Sequence, residues 1–469
     1  MPIHFNGSTR RIFISDIHMG DDRSQNPPGG MKPYGCFDIE RSTRLSAFLN
    51  SLTEPMPLGE EGAISEVIIL GDLFDLWTCP ASLDPVPLDS IKQADAVTAR
   101  PSAGSLSSVT FGSVADQVRR IASAEVNAPV MESLRRLSTH SGMRVCYVPG
   151  NHDMLVSEEM VKSLLPSVHY ICSGPGDGVF RKGDIHAEHG NLYCLFNSPD
   201  SVSNPGHTIP LGYFMTRLMA QNAANGKGHV HILDALSTTI MGLFGGDGIA
   251  GTVFMDMAAA WGLKRQNIVM DMVDGYDKVM TLAQVEEIFE YLYRDWKNRP
   301  GTATDRVRAL AGDMKMLYPA ARKCWHNIQG GPKIVLFGHT HAAVMHSLGS
   351  SKIVEDENGR QIAGDDQIDS DDQIDSDYRT EEDDHESIMS MEAEKEAVEE
   401  RDYALEQALG SGERLSKWVY VNTGTWVNAV DSATFVEIFS DSDECTHRVT
   451  LSSVQTDGSI RQIKRRWVG

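Results

Sequence analysis

Carboxylates, imidazoles and one carboxamide gather at five short places in this chain. SDIHMG supplies Asp16 and His18, and GDLFD supplies Asp72 and Asp75. GNHD supplies Asn151, His152 and Asp153, EHGN supplies His189, and GHTH supplies His339 and His341. Such nitrogen and oxygen donors suit borderline divalent metals: Mn first, with Fe, Zn, Co or Ni as alternatives. The absence of thiolates from the set argues against a purely structural zinc site. Asp16, His18, Asp72, Asn151, His189, His339 and His341 make seven plausible ligands, more than one ion needs. A carboxylate can bridge two ions, and ions about 3.5–4 Å apart stabilise both the attacking and the leaving oxygen of a phosphoryl transfer. They also acidify a bound water to hydroxide near neutral pH. His152, left over beside Asn151, is the candidate to bind a phosphoryl oxygen or to protonate the leaving group. Asp75 is the candidate to accept its second N–H and fix the ring. In the fourth block His186 competes with His189; Gly190, which lets the backbone turn close to an ion, favours His189.

These residues need elements to hold them. RIFIS (11–15), EVIIL (66–70), RVCYV (144–148) and KIVLF (333–337) read as buried strands, each ending in one of the polar blocks. Functional groups at the carboxyl ends of buried strands are the layout of an α/β site. Residues 38–52 read as a helix with Ile39, Leu45, Phe48, Leu49 and Leu52 on its apolar stripe. Residues 80–130 are rich in Pro, Ser and Ala and read as a loop excursion, followed by a helix near 113–138. Helical patterns recur at 211–224, 231–243, 253–264, 281–297 and 304–325. Strands return at 417–427, 434–439 and 447–454 to complete a β-sandwich core.

In this order, D-x-H, GD-x-x-D, GNHD, HG and GHTH resemble the calcineurin-like metallophosphoesterase superfamily. The resemblance implies an α/β fold, a four-layer α/β/β/α sandwich. It implies a dinuclear centre with Asp16, His18, Asp72 and His341 on one ion. Asp72, Asn151, His189 and His339 hold the other, with Asp72 bridging, and His152 and Asp75 match the catalytic dyad. Within the superfamily, GDLFDLW, the helical insert and GHTH look similar to the UDP-2,3-diacylglucosamine hydrolase group, which cleaves a pyrophosphate bond in a lipid A precursor. The chain departs from that group in having His152 where it has Arg, and in a longer insert. Serine/threonine protein phosphatases carry Arg after the second Asp of GD-x-x-D; Leu76 stands there in this chain.

The organisation expected is a core in two parts, 1–199 and 331–354 with 414–469, a helical cap at 200–330, and an acidic insert at 355–413. That insert holds 23 acidic residues against 4 basic ones and so carries most of the chain's net charge of −23. It contains a tandem DDQIDS repeat (365–370, 371–376), and its composition predicts disorder. A helix is expected within it at 387–409. The remaining body is nearly neutral, with short basic clusters such as Lys464-Arg465-Arg466, so nothing in the charge favours nucleic acid. The seven cysteines are scattered and form no C-x-x-C pair, which argues against disulfides or a cysteine zinc site and makes a cytoplasmic setting simplest. Membrane association follows only from the lipid A analogy. Neither a signal core nor a transmembrane stretch of about 18 apolar residues is expected. In the cap, Phe214, Met215, Met219, Phe289 and Tyr293 read as core, and Arg217 and Arg265 as surface.

The expected activity is hydrolysis of a phosphomonoester, phosphodiester or pyrophosphate by a metal-activated hydroxide. One alternative is a UDP-diacylglucosamine-type pyrophosphatase. Another is a non-catalytic scaffold that contacts a partner through the acidic insert. A scaffold is free to lose His152, Asp75 or metal ligands, and none is missing. A nuclease needs a basic channel, which the sequence lacks. Oligomeric state is not set by the sequence.

Overall fold

In the buried strands, side chains alternate between two faces, so a continuous apolar run must have cover on both. A computed structural model shows how that cover is provided. It describes residues 9–26, 35–54, 64–78, 114–174, 176–194, 197–199, 209–224, 263–266, 268–273, 276–287, 331–351, 353–355, 361–363, 415–427, 433–440 and 446–469, together with residues 255, 258, 259, 317, 320, 321, 324 and 325. The strands are β1 (Thr9–Ile14), β2 (Ile64–Leu70), β3 (Arg144–Val148), β4 (His169–Tyr170), β5 (Val179–Lys182), β6 (Ile185–Glu188), β7 (Ile268–Val273) and β8 (Tyr276–Thr281). They continue as β9 (Ile334–Phe337), β10 (Ala343–Ser351), β11 (Ile353–Glu355), β12 (Gln361–Ala363), β13 (Leu415–Thr423), β14 (Thr434–Ser440), β15 (His447–Val454) and β16 (Ile460–Val468).

Twelve strands make one mixed sheet in the order β4-β3-β2-β1-β14-β15-β16-β13-β9-β6-β5, with β10 on β13. Open sheets beyond about ten strands curl or split. Here residues of both halves share one core. Phe13, Ile68, Leu70, Cys146 and Val148 from β1–β3 cluster with Ile334, Leu336, Val419, Val421, Val436 and Ile438. The alternate residues Ile12, Ile14, Val67, Ile69, Val145 and Tyr147 face outward into a second core with helices Ile39–Ser51, Val114–Ser123, Ala128–Thr139, Glu158–Leu164 and Leu211–Ala224. On the far half, Val335, Phe337, Trp418 and Tyr420 pack with Leu317, Ala320, Ala321 and Cys324. The fold is therefore mixed α/β, with helices outside a curled sheet.

Local signals account for the helix ends. The Asp38 carboxylate accepts the Arg41 N–H at 3.0 Å and caps Ile39–Ser51. Leu45, Phe48 and Leu49 of that helix are buried, whereas Ile39, expected on the same stripe, is 61% exposed in the first turn. The single helix expected near 113–138 is two, because the chain turns at Asn127 and restarts with Pro129 in the first turn. Asn127 Nδ2 donates to the carbonyls of Gly20 and Ile121 and holds that turn against the loop after β1.

The helix Leu211–Ala224 has the bounds of its sequence pattern. The antiparallel pair β7–β8, between two helical patterns, was not anticipated. β16 was also missed: its exposed residues Ile460 to Gln462 hide an edge that pairs with β15 and β13. The 231–243 and 387–409 helices lie outside the described residues, as does the DDQIDS repeat. Of the acidic insert, Glu355 and Gln361–Ala363 are described, in the small β11–β12 pair. Among the described residues no helix is long and apolar enough to cross a membrane. Among the described residues, Cys36, Cys146, Cys172, Cys194 and Cys324 take part in no disulfide.

Candidate metal centre

β1, β2 and β3 run parallel, as do β6, β9 and β13, so the polar blocks leave their strands at carboxyl ends. Backbone bonds then lace the loops together. The N–H groups of Ile17 and His18 donate to the Asp72 carbonyl at 3.0 and 2.8 Å, and Asp75 N–H donates to Met19 O at 2.9 Å. Gly338 N–H donates to His189 O at 2.9 Å and joins the fourth and fifth blocks.

Asp16, His18, Asp72, His339 and His341 all sit at positive φ, between 53° and 70°. Left-handed backbone is uncommon outside glycine, though Asp and His tolerate it better than most residues. Its concentration in the metal-competent residues marks a site where geometry is held against local preference. Gly71 (φ 80°) meets a different limit: a Cβ there would lie 2.4 Å from His189 Nδ1.

The side chains converge. His18 Nε2 and His341 Nε2 lie 3.0 Å apart, and Asp16 Oδ1 is 3.3 Å from His341 Nε2. Asp72 Oδ2 is 3.6 Å from His18 Nε2 and 3.2 Å from His189 Nε2. Asn151 Oδ1 lies 3.0 Å from His189 Nε2, and His189 Nδ1 is fixed by the Leu70 carbonyl at 2.7 Å. The His339 ring lies 5.2 Å from that of His189, with Asn197 Nδ2 3.3 Å from its Nε2. His152 Nδ1 is 2.8 Å from Asp75 Oδ1, and its ring stacks on Trp77 at 4.3 Å. His186 turns to the other face of the sheet, where its Nε2 meets Glu188 at 2.8 Å. Gly190 sits at φ 102°, the left-handed backbone that favours glycine, and a Cβ there would also press on Leu317 and Phe337.

Buried carboxylates and imidazoles set one another's charge here. Burial opposes charge on Asp16 and Asp72, but the surrounding histidines outweigh it and hold both carboxyls well below the usual range. Burial likewise opposes a proton on His189, yet Asp72 and Asp16 lift it to about 9. His18 is raised in the same way against burial, by Asp16 and Asp75. His339 is pushed down to about 3 by burial and by His189. Asp16 Oδ1 is buried with no hydrogen-bond donor placed on it. A divalent cation fits this donor set: it would displace the protons held on the imidazoles and satisfy that oxygen. The groups Asp16–His18–His341 and Asp16–Asp72–His189 each bring three ligand atoms within 4.8 Å of one another.

No protein-family model matches the chain, and no curated protein matches it. Among solved structures it is similar to a candidate 5′-nucleotidase from Staphylococcus aureus, crystallised with alpha-ketoglutarate. That match has 9% identity and a TM-score of 0.24, over 98% of this chain and 54% of the other, so the chain spans about half of that protein's length. The functional reading therefore rests on this chain's own residues.

Several contributors escaped the sequence reading. Asp153 accepts N–H bonds from Leu73 at 2.8 Å and Gly150 at 2.6 Å, and the Tyr147 hydroxyl as well, so it holds the turn that carries Asn151 and His152. Its place in GNHD was a signal for this. Trp77 closes the GDLFDLW run, whose resemblance was the one signal for it. Arg217, read as surface, is 2% exposed, with its guanidinium 4.5 Å from the centre of the Tyr213 ring. Arg265 is at the surface, paired with Glu286 at 2.5 Å.

Proposed function

We propose that this chain hydrolyses a phosphate ester at a pair of divalent metal ions, and that the curled sheet with its outer helices is an α/β/β/α metallophosphoesterase sandwich. The supporting observation is the position of Asp72, whose Oδ2 lies within 3.6 Å of His18 on one side and 3.2 Å of His189 on the other. One carboxylate so placed can serve two ligand groups at once. Asp16, His18, Asp72 and His341 would hold one ion, and Asp72, Asn151, His189 and His339 the other. Manganese is the first choice, with Fe, Zn, Co or Ni as alternatives. Such a pair, when bound, supplies Lewis acidity toward phosphoryl oxygens and acidifies water.

The protein's own groups do the rest. His152 has one nitrogen engaged by Asp75 and its ring pinned by Trp77, so its Nε2 is the atom left to donate a proton to a phosphoryl or leaving-group oxygen. The side chains of Asp16, Asp72 and His189 are at most 2% exposed, whereas His341 is 38% and His152 13% exposed. Substrate approaches along the edge formed by those two histidines. Tyr213, on the first helix of residues 200–330, lies edge-on to Trp77 at 5.9 Å, which supports reading that segment as a cap beside this edge.

The test is nitrophenol release from bis(p-nitrophenyl) phosphate and p-nitrophenyl phosphate by chelator-stripped protein, before and after Mn²⁺ is added. Metal-restored turnover is expected, and the preferred ester separates diester from monoester chemistry. Turnover of neither ester with two ions bound would direct the search to pyrophosphate-linked nucleotides. No turnover and no bound metal would overturn the proposal and favour a scaffold.

A further inference from the structure

β6 alternates faces. Ile185 and Ala187 enter the core between the sheet halves, so His186 and Glu188 project together from the opposite face. They enter an apolar layer formed by Leu317, Ala320, Ala321, Val335 and Phe337. A carboxylate and an imidazole buried there, at 4% and 3% exposure, are costly unless fully satisfied. Two further polar groups meet them. The Tyr193 hydroxyl donates to Glu188 Oε1 at 2.8 Å and lies 3.1 Å from Cys324 Sγ, and that sulfur is 3.7 Å from the same carboxylate oxygen. His186 Nδ1 has no hydrogen-bond partner.

We propose that His186, Glu188 and Cys324 form a second, independent metal site for one zinc-class divalent ion, with Tyr193 beside the open coordination position. The three residues bring one nitrogen, one oxygen and one sulfur atom within 4.8 Å of one another. Ligands about 2.0–2.3 Å from a tetrahedral ion lie roughly 3.3–3.8 Å apart. The sulfur-to-carboxylate spacing of 3.7 Å already fits, and the His186–Glu188 spacing of 2.8 Å needs only a small opening. Binding breaks the His186–Glu188 hydrogen bond, the Nε2 proton passes to the unpartnered Nδ1 of the same ring, and metal bonds form to nitrogen, oxygen and sulfur. The Cys324 thiol proton leaves to solvent, and nothing is oxidised or reduced. A thiolate makes this site softer than the Asp72 centre, so the two differ in metal preference. The ion would staple Cys324 to β6 directly before His189. Sequence reading argued against cysteine zinc because no cysteine pair is spaced for it; Cys324 stands 136 residues from Glu188 and the fold brings them together.

A sulfur-to-cobalt band reports this site alone, because the candidate ligands around Asp72 carry no sulfur. Chelator-stripped full-length protein is titrated with Co²⁺ while near-ultraviolet sulfur-to-cobalt absorption is followed, and zinc equivalents are counted by mass spectrometry. The band is expected in wild type and in Cys36→Ser, the latter because Cys36 lies in the field of Asp75 and His18 and needs its own control. Cys324→Ser should lose the band and one equivalent of zinc. His186→Gln should need at least tenfold more cobalt for the same absorption, and it serves as the second variant if Cys324→Ser fails to fold. No band in wild type at saturating cobalt, or a band that persists in Cys324→Ser, would reduce the cluster to a hydrogen-bonded network and overturn the proposal.

Discussion

His152 Nδ1 lies 2.8 Å from Asp75 Oδ1, while the other oxygen of that carboxylate lies 3.7 Å from His18 Nδ1. Asp75 thus joins the proton-donating candidate to a metal-ligand candidate. Oδ1 also accepts the N–H groups of Trp77 and Thr78 at 3.2 and 3.0 Å, so the carboxylate itself has little freedom to move.

His152→Ala should therefore lower kcat by about 10²–10⁴-fold while both ions stay bound. Asp75→Asn should lower it by about 10–100-fold, through ring orientation. Steady-state kinetics on a nitrophenyl ester, paired with metal counting, checks both. Metal loss in His152→Ala would contradict its role.

Asp72→Asn should lose metal together with activity, because it removes the charge shared by both ligand groups. The same logic applies to heat stability: Mn²⁺ added to stripped wild type should raise Tm by mass action, and Asp72→Asn should show a much smaller rise. Thermal scans with and without the ion decide it. Equal metal content in Asp72→Asn and wild type would remove the bridging role.

Asp153→Ala should leave the buried N–H groups of Leu73 and Gly150 without their acceptor. A buried unsatisfied donor costs about 1–3 kcal/mol, so a large fall in Tm is expected. Activity at low temperature should fall as well, because the turn it holds carries Asn151 and His152. An unchanged Tm would show that the turn holds itself.

Glu66 accepts from the fully buried Arg11 at 2.7 Å and from Lys182 at 3.0 Å. Burial alone would raise its pKa, but Arg11 and then Lys182 outweigh it and lower the value. A depressed carboxyl stabilises the fold above the pKa it has when unfolded, and that stability is lost as pH falls through the folded value. Glu66→Gln should be less stable than wild type at pH 7 by about 3 kcal/mol, since the buried Arg11 Nε loses the carboxylate it donates to. The gap should close in acid. Denaturant melts at several pH values measure it, and a pH-independent gap would mean that the loss is packing rather than charge.

The strands that carry the site were legible because apolar runs ended by polar blocks have few other solutions. β3 and β15 have the bounds of their sequence patterns, and β1, β2 and β9 differ by one or two residues. β16 was illegible because its side chains are mostly exposed and its identity comes from backbone pairing with β15 and β13. Residue types and their order were likewise enough to nominate Asp16, His18, Asp72, Asn151, His189, His339 and His341 as ligands, since few other chemistries need that mixture.

Sequence by itself thus determined which donors are present and that they stand at strand ends. Only the tertiary structure decided their distances and faces. It put Asp72 between His18 and His189, laid Trp77 on His152, buried Arg217 against Tyr213, and turned His186 away toward Glu188 and Cys324. The physical reason is that ligand type is a property of one residue. Convergence instead depends on how a curled sheet brings together loops that are far apart in the chain, and on the two-residue alternation that sends neighbours to opposite faces.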